Sequence, residues 1–260
     1  MNPIRVLING IGGQMGKALL NALSTASCGM EAVGGVDPFC ETSMPVPVFR
    51  SAAEINVDAD VVIDFSVPDA TEEILAFCLK KKLPLVVCTT ALSDAQIDRI
   101  QAASREIPIF RSGNMSLGVN LMCELLKRAK LALKDSFDIE IIETHHNRKK
   151  DAPSGTALML AEAIQSADGE SHAYRFGRSE KDRRREPGEI GFHSIRGGTI
   201  VGEHEVRFLG DDEEITIRHA AYSKRVFANG AIRAAAFLVR QKNGLYSMDD
   251  LVSETLSESF

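Results

Sequence analysis

The sequence predicts an α/β protein, with a doubly wound parallel sheet followed by a second domain that contains a mixed α+β sheet. Three observations support this prediction. In the first half, short apolar runs alternate with stretches of helical periodicity, which is typical of parallel strands covered on both faces. Beyond residue 138, strand-like runs follow one another with turn signals between them, which indicates mixed or antiparallel pairing. The length of 260 residues is enough for two domains.

The composition is that of a globular protein, with 25% charged and 44% apolar residues. A formal net charge of −6 argues against general affinity for nucleic acid. No apolar run approaches the roughly 20 residues of a membrane span, and no leading segment resembles a secretory signal, so we expect no membrane partner. The cysteines form no Cys-x-x-Cys pair, and we expect reduced, mostly buried thiols and a cytoplasmic location. They are Cys28, Cys40, Cys78, Cys88 and Cys123.

A glycine-rich loop follows the first predicted strand, Ile4 to Ile8. Its sequence is Gly10-Ile11-Gly12-Gly13-Gln14-Met15-Gly16. Apolar residues recur at helical spacing after it, so the order is strand, glycine loop, helix. That order lets a pyrophosphate approach the backbone and lie at the helix N-terminus. The pattern Gly-x-Gly-x-x-Gly would require glycine at Met15, and the better register is Gly10, Gly13 and Gly16.

An acidic residue ends the second predicted strand, Ala32 to Val36. This residue, Asp37, lies about twenty residues after the loop, where an acid receives the ribose hydroxyls of a dinucleotide. The alternative is an ordinary strand-ending turn at Asp37-Pro38. Loop, helix, strand and acid occur in the expected order, which favours a Rossmann-like dinucleotide-binding domain.

The alternation continues through residue 110. Strands are predicted at Val61–Phe65, Leu85–Cys88 and Pro108–Phe110, with helices at Thr71–Lys81 and Ser93–Ser104. Ligands of parallel sheets bind at the carboxyl ends of the strands, so the residues that follow each strand should line one crevice. These are Ser66 to Pro68, Cys88, Thr89, Thr90, Ser112, Gly113, Asn114 and Met115. We expect Thr89, Thr90 and Asn114 to face a nicotinamide, with helix capping as the alternative role.

The pattern changes after a long predicted helix, Leu117 to Leu133. Strands are predicted at 138–144, 189–195, 199–209 and 214–219, the last two joined by a hairpin, and helices at 229–239 and 247–251. We interpret the charged run 181–188 as a solvated loop, with a mobile role over the substrate as the alternative. The helical C-terminus suits the first domain. We therefore predict a dinucleotide-binding domain of residues 1–116 and 227–260 and a second domain of residues 117–226.

The stretch from Glu143 to Ala157 concentrates titratable groups between a predicted strand and a predicted helix. Ser154 can cap that helix, whose free N–H groups favour an anion. His145, His146 and Lys149 add positive charge and exchangeable protons, which indicates a carboxylate site that contains an acid. A solvated basic loop is the alternative. Adjacent histidines lack the His-x-x-x-His spacing of a helical zinc pair, so no metal is expected.

These motifs closely resemble those of the 4-hydroxy-tetrahydrodipicolinate reductase family, also called dihydrodipicolinate reductases. The resemblance covers nearly the whole chain. It includes the glycine loop, Asn114 to Asn120, Gly188 to Gly198 and, most specifically, the segments Glu143-Thr-His-His and Asp151-Ala-Pro-Ser-Gly-Thr-Ala. It implies NADH- or NADPH-dependent reduction of 4-hydroxy-tetrahydrodipicolinate to tetrahydrodipicolinate, in the diaminopimelate route of lysine biosynthesis. It also implies a homotetramer assembled through the mixed-sheet domain, which binds the small dicarboxylate substrate.

The resemblance also implies roles for individual residues. His145 would donate the proton with Lys149 as its catalytic partner, and the substrate's carboxylates would be bound by His146, Gly155 and Thr156. The cofactor contacts would be Gly10, Ile11, Gly12, Gly13, Gln14, Met15, Asp37, Cys88, Thr89, Thr90, Ser112, Gly113, Asn114 and Met115. Met115 and Cys88 depart from the aromatic residue and the glycine that the family often has there.

The cofactor preference depends on Asp37 and Pro38. The acid can accept both ribose hydroxyls of NADH but would repel the 2′-phosphate of NADPH, and Pro38 supplies neither charge nor N–H. We therefore expect a preference for NADH, unless Arg50 reaches the phosphate. Two other classes of function remain as alternatives, namely a non-catalytic dinucleotide sensor and a dehydrogenase of another small amino or keto acid.

Overall fold

The computed structural model describes residues 2–25, 29–41, 43–179 and 183–257. Residue contacts divide the chain into two compact units. Unit 1 comprises Met1–Leu117 and Lys224–Phe260, and unit 2 comprises Gly118–Ser223. Among the residues described, no helix is both long and apolar enough to cross a bilayer.

The N-terminal part of the chain alternates strands and helices. In chain order these are β1 (Ile4–Asn9), α1 (Gln14–Thr25), β2 (Met30–Val36), β3 (Val48–Phe49), β4 (Val61–Asp64), α2 (Pro68–Lys81), β5 (Leu85–Val87), α3 (Asp94–Ala103), β6 (Pro108–Arg111) and α4 (Leu117–Leu133). One turn of 3₁₀ helix, Ala52–Glu54, follows β3. Ser93 caps α3 in a reciprocal capping box with Gln96, which confirms the predicted helix start.

Unit 2 continues with β7 (Asp138–His145), α5 (Gly155–Asp168), β8 (Tyr174–Phe176), β9 (Ile190–Arg196), β10 (Gly202–Leu209) and β11 (Glu214–Ala221). The chain then returns to unit 1 as α6 (Arg225–Leu238), β12 (Gly244–Tyr246) and α7 (Met248–Ser257). The carbonyl of Glu213 accepts a hydrogen bond from the Gly210 N–H, and β10 pairs antiparallel with β11, as the predicted hairpin requires.

In the part of the chain that the structure describes, each unit has one sheet. The seven strands of unit 1 run parallel in the order β12-β6-β5-β4-β1-β2-β3. The five strands of unit 2 have the order β11-β10-β7-β9-β8, in which β10 is antiparallel to β7 and β11, and the other pairs are parallel. The predicted fold class, a doubly wound parallel sheet with a separate mixed sheet, is confirmed.

Among the described residues, helices cover both faces of the parallel sheet but only one face of the mixed sheet. In unit 1, α1 and α6 pack on one side and α2 and α3 on the other. In unit 2, α4 and α5 bury residues such as Leu126, Leu160, Ile141 and Phe208. On the other face of that sheet, Arg218 pairs with Glu203.

The boundaries of some elements differ from the predictions. Strands β3, β8 and β12 are edge strands of two or three residues, too short to show periodicity. Strand β10 begins at Gly202 rather than at residue 199, and α6 begins at Arg225 rather than at residue 229. In the charged run, residues 181 and 182 lie outside the described residues. Arg185 is not solvated as predicted, because it forms ion pairs with Glu140 and Asp138.

Close packing against the glycine loop makes Gly16 sterically obligatory. A Cβ atom there would collide with the carbonyl oxygen of Gly10 and lie 2.6 Å from the Cα of Ile11. Alanine favours a helix over glycine by only about 1 kcal/mol. Moving the loop backbone away from the added Cβ would cost more free energy than this gain.

We therefore predict that Gly16→Ala lowers the free energy of unfolding by about 1–3 kcal/mol, measured by urea denaturation. A matched control is Gly113→Ala in the same unit, where the added Cβ would meet no atom of the described residues within 4 Å apart from its two chain neighbours. It should change stability by less than about 0.5 kcal/mol. A Gly16→Ala protein as stable as the wild type would contradict this packing.

Candidate functional site

In unit 1, the glycine loop and the acid at the end of β2 are joined by hydrogen bonds. Gly10 has φ +80°, and a Cβ there would lie 2.6 Å from the Phe65 carbonyl oxygen. The Gly12 N–H donates to Asp37 Oδ2 at 3.0 Å, and the Phe39 N–H donates to Asp37 Oδ1 at 2.9 Å. The carboxylate is thereby fixed beside the loop, as a ribose-binding acid requires.

A cavity of about 390 Å³ lies at the carboxyl ends of the neighbouring strands. Its lining includes every residue predicted from the segments after β5 and β6, together with Met15. Asn114 Oδ1 also accepts from the Ser116 N–H at 2.8 Å, so this side chain has a local structural contact as well. The lining residues are Met15, Phe65, Ser66, Cys88, Thr89, Thr90, Ser112, Gly113, Asn114, Met115 and Phe227.

The loop fits a dinucleotide for steric reasons. Residues 10, 12 and 13 carry no side chain, so a phosphate can approach the backbone before α1. The loop with Asp37 would hold the pyrophosphate and adenosine ribose, and the cavity would hold the nicotinamide half.

Beneath this cavity lies a buried carboxylate that sequence reasoning missed. Asp64 is completely buried at the end of β4. Its Oδ2 accepts from the hydroxyls of Thr71 at 2.6 Å and Thr89 at 2.9 Å. Its Oδ1 accepts from Asn9 Nδ2 at 2.9 Å and from the Ser66 hydroxyl at 2.5 Å. An acid directly after three apolar strand residues is the sequence signal that could have identified it.

Among the described residues, Cys78 and Cys88 are free thiols, and Cys78 and Cys123 are buried. Cys28 lies outside the described residues. Burial, and then the charge of Asp64, raise the pKa of the Cys78 and Cys88 thiols. Cys88 therefore presents a neutral thiol to the cavity rather than a nucleophile.

In unit 2, the end of β7 places a carboxylate and a histidine on the covered face of the sheet. Glu143 is 1% exposed. Arg196 donates to both of its oxygens, at 2.6 Å and 2.8 Å. His145 Nδ1 lies 2.5 Å from Glu143 Oε2, and the Ser154 N–H donates to Oε1 at 3.1 Å. The predicted proton donor is thus held by Glu143, and the sequence assigned no role to this acid or to Arg196.

Opposing effects determine the charges of this cluster. Burial opposes ionisation of Glu143, but hydrogen bonds from Arg196, Ser194 and His145 outweigh it and lower the pKa to about 2. Burial lowers the pKa of His145, although Glu143 acts in the opposite direction. Glu143 is therefore an anion at neutral pH, and the ring of His145 releases its proton more readily than a free histidine.

A second histidine packs against His145. The ring of His204 lies edge-on to it, with centroids 5.1 Å apart, and His204 Nε2 is 3.0 Å from the hydroxyl of Ser154. Burial, and then the nearby charge of His145, lower the pKa of His204 to about 4. At neutral pH His204 is uncharged and does not compete with His145 for a proton.

The loop between β7 and α5 directly follows His145 in the sequence, and it leads to the remaining predicted residues. Lys149 Nζ pairs with Asp151 Oδ2 at 2.9 Å, and the His146 N–H donates to the Ile200 carbonyl. Ser154 caps α5 through the Ala157 N–H, as predicted. Gly155 is the first residue of α5. A Cβ added there would meet no atom of the described residues within 4 Å beyond its own chain neighbours and helix, so there is space for a ligand beside its backbone. Thr156 follows it in the first turn.

Elsewhere in unit 2, Asp168, Glu170 and His172 could together bind a metal. Lys130 Nζ lies 3.1 Å from Asp168 Oδ2, and both ring nitrogens of His172 have hydrogen-bond partners. A lysine ammonium therefore already compensates part of the negative charge of this cluster.

The parallel sheet with its glycine loop and acid is typical of a dinucleotide-dependent oxidoreductase, and the second unit places a histidine beside a buried carboxylate. The chain belongs to the dihydrodipicolinate reductase family. Residues 4–115 match the family model "Dihydrodipicolinate reductase, N-terminus", and residues 118–252 match "Dihydrodipicolinate reductase, C-terminus". The predicted resemblance is confirmed, and neither a dinucleotide sensor nor another dehydrogenase is favoured.

Relatives and solved structures agree with this assignment. The chain is 49% identical to 4-hydroxy-tetrahydrodipicolinate reductase of Caldanaerobacter subterraneus subsp. tengcongensis, over 96% of this chain and 99% of the relative. It is 44% identical to the enzyme of the same name from Clostridium novyi, over 95% and 98%. It resembles a dipicolinate-bound dihydrodipicolinate reductase from Paenisporosarcina sp. TG-14, with a TM-score of 0.78 and 25% identity over 94% and 97%.

The depressed pKa of His204 leads to a pH prediction. A histidine whose folded pKa is about 4 contributes stability that is complete above its unfolded value of about 6.5 and is lost as the pH falls toward 4. We expect the free energy of unfolding of wild-type protein to fall up to about 3 kcal/mol more than that of His204→Gln between pH 7 and pH 4. Urea denaturation of both proteins across this range measures the difference. Parallel curves would contradict the depressed pKa.

Proposed function

We propose that this protein catalyses the NAD(P)H-dependent reduction of 4-hydroxy-tetrahydrodipicolinate to tetrahydrodipicolinate in the diaminopimelate route to lysine. The observation that carries the proposal is the hydrogen bond of His145 to the buried carboxylate of Glu143, at the end of the strand that precedes α5. The names of the relatives and the dipicolinate bound by the structural neighbour support the same reaction and substrate class.

The reaction requires an acid and two carboxylate sites. Loss of the 4-hydroxyl group as water, together with a hydrogen from the neighbouring ring carbon, leaves a conjugated imine. A bound nicotinamide dinucleotide would supply a hydride to the carbon that carried the hydroxyl group. The carbon next to the imine gains a proton, which His145 donates from Nε2, because Nδ1 faces Glu143. The first-turn N–H groups of Gly155 and Thr156, together with His146, bind one carboxylate. Lys149, the catalytic partner of His145, would exchange part of its contact with Asp151 for a contact with the other carboxylate.

We propose that unit 1 binds the dinucleotide, while unit 2 binds the substrate and assembles a homotetramer in the cytoplasm. The uncovered face of the mixed sheet supports the assembly, because it carries apolar residues such as Ile142 and half-exposed Ile195 beside ion pairs. An apolar patch rimmed by charge is typical of a subunit interface.

We predict that His145→Gln and Lys149→Ala each lower kcat about 10²–10⁴-fold and leave the dissociation constant of the dinucleotide nearly unchanged. The reason is that both residues act on the substrate from unit 2. The assay follows NADH consumption with the condensation product of pyruvate and aspartate semialdehyde, and binding is measured by fluorescence titration. Lys82→Ala, an exposed lysine paired with Glu106, is the control for loss of positive charge. A His145→Gln enzyme with most of its kcat at neutral pH would rule out His145 as the acid.

We further propose that NADH is preferred over NADPH. Asp37 is held beside Gly12 with its charge toward the ribose position, and exposed Phe39 follows Pro38 where a cation would be needed. Arg50 is the rival influence. It is exposed and directly follows β3, and the Asp37 N–H donates to the Phe49 carbonyl of that strand at 2.9 Å.

The expected preference is roughly 1–2 kcal/mol, which is about 5–30-fold in kcat/KM at fixed substrate and salt. Comparing the two cofactors with wild type and with Arg50→Ala measures it. If wild type uses both cofactors equally and Arg50→Ala loses only NADPH activity, Arg50 compensates for the charge of Asp37, and the preference is wrong.

A further inference from the structure

His145 and Arg196 share one oxygen of Glu143. His145 Nδ1 lies 2.5 Å from Oε2, and Arg196 Nη1 donates to the same atom at 2.8 Å. Arg196 Nη2 donates to Oε1 at 2.6 Å and to the Asp151 carbonyl at 2.7 Å. In the sheet, Arg196 on β9 is the register partner of His145 on β7. The guanidinium and the imidazole are therefore held by one carboxylate on neighbouring strands.

This arrangement decides which ring nitrogen can give up a proton. An ionised carboxylate only accepts hydrogen bonds, so Nδ1 of His145 must carry a hydrogen that points at Glu143. The exchangeable position is therefore Nε2. A Cβ at Gly202 would lie 3.0 Å from Nε2, so glycine at this position keeps the atom uncrowded.

We propose that Glu143 and Arg196 form a positioning pair for proton transfer. Glu143 fixes the ring so that Nε2 is the donating atom, and the two opposite charges act on the proton of His145 in opposite directions. The positioning pair serves the reaction proposed above, but its effect on the ionisation of His145 can be measured without turnover.

The charges that face His145 explain why a pair is needed. Glu143 stabilises the imidazolium, whereas burial and the positive charges of Lys149 and Arg196 destabilise it. A lone buried carboxylate would hold the proton too firmly for a general acid, and a lone arginine would expel it. His204 faces the ring from β10 and is kept uncharged by burial. The register partner of His204 is His219 on β11. In the loop after β7, Asp151 forms an ion pair with Lys149, and its carbonyl accepts a hydrogen bond from Arg196.

The test compares Glu143→Gln with Arg196→Gln. Imidazole C2 hydrogen–deuterium exchange, followed by peptide mass spectrometry, titrates His145 without requiring activity, and the pH dependence of kcat reports the same ionisation during turnover. We expect the midpoint of His145, and the high-pH fall of kcat, to move to lower pH in Glu143→Gln and to higher pH in Arg196→Gln. A merely structural role would not produce shifts of opposite sign. Loss of orientation should also reduce kcat, by up to about 10²-fold.

Two further variants separate charge from geometry. Arg196→Lys keeps the charge but not the two-pronged contact, so the midpoint should stay near that of wild type while kcat falls. Arg99→Gln, which removes a surface arginine paired with Glu72 in unit 1, should change neither quantity.

The outcomes are distinct. Shifts of the same sign, or none, in Glu143→Gln and Arg196→Gln would overturn the proposal. If either variant fails to fold, the comparison of the other with Arg196→Lys decides, because equal midpoints would also overturn it. If the two variants show opposite shifts but the wild-type protein does not reduce the dicarboxylate substrate, the positioning pair is supported and the proposed reaction is rejected.

Discussion

The buried carboxylate of Glu143 is the interaction on which the site in unit 2 depends. At 1% exposure, its charge would be costly without compensation. The two-pronged contact of Arg196, the Nδ1–H of His145 and the N–H of Ser154 supply that compensation. Removal of one partner of such a buried pair typically costs 3–5 kcal/mol, so the cluster constrains the fold as well as the chemistry. Strands β7 and β9 and the start of α5 are joined through this one group.

Unit 1 has a comparable arrangement around Asp64. This carboxylate lies at the end of the central strand β4 and accepts hydrogen bonds from Asn9 at the end of β1, Thr89 after β5 and Thr71 in α2. It therefore fixes the edge of the sheet where the cofactor cavity opens. In both units, an acid buried at the end of a strand accepts hydrogen bonds from several elements. Residues proposed to contact ligands lie in the segments that follow these strands or their neighbours.

The sequence predicted the elements with strong local signals. Helix α4 was predicted with its observed bounds because its apolar stripe is long, and the caps at Ser93 and Ser154 were recognised from residue type and position. Strands β3, β8 and β12 were missed, since pairing at a sheet edge depends on a distant partner rather than on local periodicity.

The same distinction applies to the site. His145, Lys149 and the start of α5 lie in one short motif that could be recognised from sequence. Arg196 is 53 residues from Glu143 and acts only because β9 pairs with β7, and Asp64 meets Asn9 across 55 residues. Arg185 was predicted to be solvated because a charged run gives no indication of which member will turn toward acids on the sheet. Tertiary pairing, not composition, assigned these three roles.

Infrared difference spectroscopy of Glu143 tests the central claim most directly, namely that this buried carboxyl is an anion. The wild-type spectrum minus that of Glu143→Gln isolates the group. With a pKa of about 2, it should show the carboxylate stretches and no acid carbonyl band from neutral pH down to about pH 4. An acid carbonyl band at neutral pH would mean that Glu143 is protonated, and the account of how His145 is held and charged would be contradicted.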